Sequence, residues 1–129
     1  MPLVKVSRRV GFSPAENRRL LDAIHEALVE AFEIPEGDRA QRLLELDAAH
    51  FEIPAGRGSA FTLVEITAYP GRSAEAKRAL YHSLAQRCEA AGVPPRDLFV
   101  VIFEPPLENW STGDGVSSAD RKPGFKLDV

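Results

Sequence analysis

The sequence predicts an α+β fold in which a duplicated β-α-β unit forms one four-stranded mixed sheet with two helices on one face. Three observations predict it. The chain repeats itself, so that Pro2-Leu3-Val4-Lys5-Val6 lies over Thr62-Leu63-Val64-Glu65-Ile66, Ser13 over Ser73, Arg18 over Arg78 and Leu20 over Leu80. After a one-residue deletion, Ile34-Pro35 and Asp38 fall on Val93-Pro94 and Asp97. Each copy passes from period-two apolar alternation to a helical stripe and back to an apolar run. The length of 129 residues, 44% of them hydrophobic, suffices for one core but hardly for two. A single domain over 1–129 follows, with pseudo-repeats at about 1–53 and 60–104 and a C-terminal tail.

The elements are justified in order. Val4 and Val6 share one face of the first strand, as expected for a sheet covered on one side. The first helix opens at Ser13, with Pro14 at its first position and Glu16 three residues after the cap, a capping box. Leu20, Ile24 and Leu28 form its buried stripe. A strand is expected near Arg42–Asp47. The second copy repeats the plan with Val64 and Ile66 on a strand and a helix after Ser73 that buries Leu80, Leu84 and Cys88 before Gly92 ends it. Leu98–Phe103 is the closing strand.

That last strand is apolar at successive positions, hence on both faces, whereas the helices cover one. A monomer would leave half of the run in water, so a symmetric homo-oligomer is expected, with the tail contributing at subunit contacts. The alternative cover is the tail from Glu104 to Val129, whose low apolar content leaves it incomplete.

Composition excludes several function classes. A net charge of −3 and a pI near 5.6 give no basic surplus for a phosphate backbone, so no nucleic-acid partner is expected. The opening MPLVKVSRRV has no signal-peptide core, no apolar run is long enough to span a bilayer, and the single cysteine fits a reducing compartment. The expectation is a cytoplasmic protein with no membrane partner. His25, His50 and His82 lack ligand spacing, so no metal is expected, and no cofactor motif is present. Ala55-Gly56-Arg57-Gly58-Ser59 lacks the lysine and spacing of a phosphate loop. Cys88 continues an apolar stripe and reads as core.

The chemistry points to Pro2. Initiator methionine is removed efficiently before a small residue, so the mature chain is expected to begin with a secondary amine at Pro2. An α-amino group titrates at roughly 7.7–8.0 before perturbation and can serve as acid or base near neutral pH.

Amino-terminal Pro2, the duplicated β-α-β plan, Gly71-Arg72-Ser73 before the second helix and Pro35-Glu36-Gly37-Asp38-Arg39 together resemble the tautomerase superfamily. The Asp38-Arg39-x-Gln41 and Asn109-Trp110-Ser111-x-Gly113 segments resemble the branch containing malonate semialdehyde decarboxylase. The resemblance spans nearly the whole chain, least between His50 and Ser59 and after Gly115. It implies a tautomerase-like fold, a homotrimer, a metal-free site around the proline nitrogen and a small oxo- or enol-carboxylate substrate.

Pro2, Asp38 and Arg72 carry over as catalytic residues, with Arg72 also binding the substrate carboxylate through its forked donors. Trp110, Tyr69 and Arg39 are the further substrate-binding candidates. Each has a structural alternative: Asp38 as a turn residue shared with Asp97, Trp110 as an anchor between subunits, Tyr69 as edge packing, and Arg39, like Arg8, as a surface cation. The decarboxylase pattern has a second arginine two residues before the first, where this chain has Pro70. Pro2 could act as base, acid or iminium-forming nucleophile. Decarboxylation, keto-enol tautomerisation of a pyruvate-type enol and hydration of an unsaturated acid therefore stay open, and a non-catalytic oligomeric binding domain is the alternative outside enzymes.

Overall fold

The computed structural model describes residues 2–121. Strands β1 (Pro2–Arg9), β2 (Ala40–Leu46), β3 (Thr62–Ala68) and β4 (Leu98–Phe103) form one sheet in the order β2-β1-β3-β4. Within each copy the two strands are parallel, and β1 meets β3 antiparallel. Helices α1 (Pro14–Phe32) and α2 (Ala74–Ala90) are the crossovers of the two copies. The observed β2 starts two residues earlier than the sequence predicts, because Ala40 already pairs with Leu3.

Local signals set the helix ends. The Ser13 hydroxyl accepts from the Glu16 amide at 3.1 Å while the Glu16 carboxylate accepts from the Ser13 amide at 2.9 Å. In the second copy Ser73 accepts from Ala76 at 3.0 Å, and an alanine at this position cannot close a box. Gly92, with φ +96°, adopts the left-handed conformation that terminates α2.

The predicted stripes are the core: Leu20, Ile24 and Leu28 from α1 and Leu80, Leu84 and Cys88 from α2 are buried with Val4, Val6, Val64 and Ile66. Arg87 of α2 spans to α1 and binds Glu26 at 2.9 Å and Glu30 at 2.8 Å. Strand alternation sends Leu98, Val100 and Ile102 towards the core and Phe99 and Phe103 to the opposite face. There Phe103 is 48% and Leu3 44% exposed, so the described tail does not cover this face. A concavity of about 410 Å³ opens on it, lined by Leu3, Lys5, Arg42, Glu65 and Phe103 among others.

The connection between the copies folds against the end of the sheet where β3 and β4 begin. Phe61 packs with Phe51 and Phe99 at ring-centroid distances of 5.7 and 6.2 Å. The Gly58 amide donates to the Asp97 carboxylate at 2.6 Å. A Cβ on Gly58 would lie 2.9 Å from that carboxylate, so a side chain at this position would push the Asp97 carboxylate aside. Among the described residues no helix is long and apolar enough to cross a membrane.

Candidate functional site

The pairing register collects the expected site residues at one end of the sheet. Strands β1 and β2 begin where β3 and β4 finish: Pro2 pairs with Ala68, Leu3 with Ala40, and Thr67 with both Leu3 and Phe103. The Asp38 turn before β2, the Tyr69–Arg72 loop after β3 and Glu104 after β4 therefore all adjoin the Pro2 end of β1. Pro2 is buried and lies on the helix-facing side with Val4 and Val6. Met1 lies outside the described residues, so the expected processing is untouched by the structure.

Asp38 is half-buried on a turn closed by its own amide donating to the Pro35 carbonyl at 3.0 Å. Asp97 makes the same backbone contact with Pro94 at 2.8 Å, so the turn is common to both copies. Helix α1 fixes the Asp38 turn through side chains. Buried His25 lies with Nε2 2.8 Å from the Glu36 carbonyl. A carbonyl only accepts, so Nε2 carries the hydrogen. Gln41 Nε2 donates to the Leu21 carbonyl at 3.1 Å. Arg39 binds Asp22 of α1 and donates to Gln41 Oε1 at 3.1 Å, which makes its guanidinium a tie between turn and helix.

Arg72 is 5% exposed. It follows Gly71, whose φ of +125° turns the chain off β3. Its guanidinium stands 4.8 Å above the Phe32 ring at the end of α1, and Nη1 donates to the Tyr69 carbonyl at 3.2 Å. Burial pushes its pKa down, and the charges of Glu104 and then Asp38 push it back up. The guanidinium is thus electrostatically coupled to a carboxylate on each side of the site. Arg8, the other arginine considered as a second charge, lies at the far end of β1, about 20 Å away at strand rise. It sits over the Phe12 ring at 3.6 Å and binds Asn17.

Tyr69 and Trp110 come together. Their rings meet edge to face at 5.0 Å, the Tyr69 hydroxyl bonds the Ser118 hydroxyl at 2.8 Å, and Trp110 Nε1 donates to the Pro105 carbonyl at 3.0 Å. The Ser118 amide donates to the Trp110 carbonyl at 2.8 Å. The described part of the tail thereby packs on the loop that carries Arg72.

Three residues here escaped the sequence. His25 lacks metal-ligand spacing, and the one signal for its role is its place on the buried face of α1. Glu104 and Lys77 form an ion pair at 2.5 Å beside Arg72. No motif announces them, since only the strand register brings the end of β4 to the Pro2 end of β1. Among the described residues no three His, Cys, Asp or Glu side chains gather to hold a metal ion.

Comparison with known proteins gives this arrangement its kin. A family model described as tautomerase enzyme matches residues 38–113. Over 121 residues the chain is 32% identical to the probable tautomerase YrdN of Bacillus subtilis (strain 168), covering 89% of this chain and 93% of the relative. The probable tautomerase YusQ of the same organism is 29% identical, covering 89% and 95%. Among solved structures, malonate semialdehyde decarboxylase, described with decarboxylase and hydratase activities, superposes with a TM-score of 0.82 at 32% identity, covering 88% of this chain and 92% of that one. A fused 4-OT solved as a symmetric trimer gives 0.80 at 32% identity, covering 92% and 99%.

Proposed function

The chain belongs to the tautomerase family, in the branch with malonate semialdehyde decarboxylase, and on that premise we propose that it is an enzyme whose amino-terminal proline acts on a small oxo- or enol-carboxylate. The observation that carries this reading is the burial of Pro2 on one edge of a site whose other walls are the Asp38 turn and the Arg72 loop. Arg72 holds the substrate carboxylate by its forked donors, and the Phe32 ring lies against the guanidinium at 4.8 Å.

With Met1 removed, the Pro2 nitrogen is the titrating group. Burial favours the neutral amine and neighbouring carboxylate charge favours the cation. Neutral Pro2 takes a proton from oxygen or carbon of an enol or keto acid and returns it at the other atom. Protonated Pro2 hydrogen-bonds the carbonyl oxygen of a 3-oxo acid, so that the bond to the departing carboxylate breaks, carbon dioxide leaves, and its electron pair forms an enolate that accepts the proton. Asp38 adjusts the amine between these states from its turn. The kinship with malonate semialdehyde decarboxylase favours the second course. The exposed apolar face carrying Leu3 and Phe103, together with the trimeric fused 4-OT, supports a homotrimer.

The experiment is product analysis by NMR with processed protein on malonate semialdehyde, the enol of phenylpyruvate and an unsaturated three-carbon acid. Turnover of at least one, lost or strongly reduced in Pro2→Ala with the fold unchanged, is expected. No turnover of any member of the panel, or turnover indifferent to Pro2→Ala, overturns the reading.

A further inference from the structure

We propose that Glu104, held in place by Lys77, is a specificity-determining residue that restricts the Arg72 site to acids carrying a single carboxylate. The inference rests on the reading of Arg72 as the carboxylate-binding residue. Its geometric basis is the sheet register. Phe103 pairs with Thr67, so the next residue, Glu104, stands level with Ala68, which pairs with Pro2. Pro2, Ala68 and Glu104 form a row across β1, β3 and β4, with Pro2 and Glu104 two strand spacings, or about 10 Å, apart. Glu104 continues the alternation of Val100 and Ile102 and so belongs to the helix side of the sheet, as Pro2 does.

Lys77, in the first turns of α2, meets the Glu104 carboxylate at 2.5 Å, with the two side chains 28% and 23% exposed. The pair is therefore partly withdrawn from water, where charge interactions exceed their surface strength. Glu104 is also the foremost carboxylate acting on Arg72, ahead of Asp38 on the opposite side. Arg72 and Lys77 balance Glu104 and Asp38. One substrate carboxylate can be accepted by Arg72 between them, but a second must approach Glu104 or Asp38. The cation that would receive it, Lys77, is already occupied. Like charges brought together in such a space discriminate strongly between ligands.

Isothermal titration of the full-length chain with 2-oxobutanoate and 2-oxoglutarate, one and two carboxylates on otherwise comparable 2-oxo acids, tests this. The unaltered protein is expected to favour 2-oxobutanoate by about tenfold or more. Glu104→Gln, which keeps a hydrogen-bonding side chain but releases Lys77, is expected to raise the affinity of both acids, that of 2-oxoglutarate by about tenfold more than that of 2-oxobutanoate. Adding Lys77→Met to Glu104→Gln should remove that gain. Lys77→Gln alone, which bares Glu104, should weaken both acids and the diacid more, and it provides the test if Glu104→Gln fails to fold. A ratio between the acids unchanged in either single variant overturns the proposal while leaving the Arg72 reading in place. Binding of both acids unaffected by Arg72→Ala, or absent from the unaltered protein, overturns the Arg72 reading and the proposal with it.

Discussion

The Arg72 guanidinium stands 4.8 Å above the ring of Phe32, the last residue of α1. One copy of the duplicated unit thus supplies the platform and the other the cation. Arg72→Ala is expected to lower kcat/KM for a carboxylate substrate by a factor corresponding to roughly 2–4 kcal/mol, with sedimentation unchanged. Phe32→Leu, which keeps an apolar side chain in the core but removes the ring face, should raise KM more than it lowers kcat. Steady-state kinetics on both variants check this, and an unaltered kcat/KM in Arg72→Ala would assign the arginine a purely structural role.

The second prediction concerns the chain terminus. A form that retains Met1 converts the Pro2 nitrogen into an amide, which neither titrates near neutrality nor attacks a carbonyl, so turnover should fall to background. Intact mass spectrometry identifies the form and the best substrate reports the rate. Equal turnover by the two forms would remove the proline from the mechanism.

Assembly gives a third. Phe103 and Leu3 lie on a face that neither helix nor the described tail reaches, and burying such a side chain contributes about 1.5–3 kcal/mol. Sedimentation is expected to show a trimer, and Phe103→Asp to shift it to smaller species. A stable monomer of the unaltered chain at micromolar concentration contradicts this.

Cys88 supplies a fourth, with a defined sign. Burial pushes its thiol from 9.0 up to about 12, so the folded state holds a proton that the unfolded state releases. Its contribution to stability is complete below pH 9 and is lost as pH rises from there towards 12. A thiol reagent at pH 8 should leave the folded protein unlabelled and label one residue per chain in denaturant. Labelling of the folded protein at the rate of the denatured one would show that the core opens at α2.

Much of this molecule was legible because its signals are local or repeated. The capping box at Ser13 and Glu16, the Leu20-Ile24-Leu28 stripe and its Leu80-Leu84-Cys88 counterpart are each specified within a few turns of helix, and the duplication marks the paired strands. The expectation that Pro2, Asp38 and Arg72 act in one place comes from resemblance alone. The structure adds the register that brings them there. Glu104 and Lys77 were not legible, because they stand 27 residues apart and meet only when β4 is laid beside β3. Arg39 shows the opposite limit: the sequence marks a cation beside Asp38 but not that Asp22, seventeen residues earlier, holds it.

The contact between Gly58 and Asp97 has a stoichiometric consequence. Duplication alone would furnish two reactive centres, one at each end of the sheet. At the second end the aspartate is 2% exposed and engaged by the Gly58 amide, and the counterpart of Pro2 is Thr62, whose nitrogen is tied up in a peptide bond. An electrophile that captures the amino-terminal proline should therefore reach its end point at one equivalent per chain, however many chains assemble.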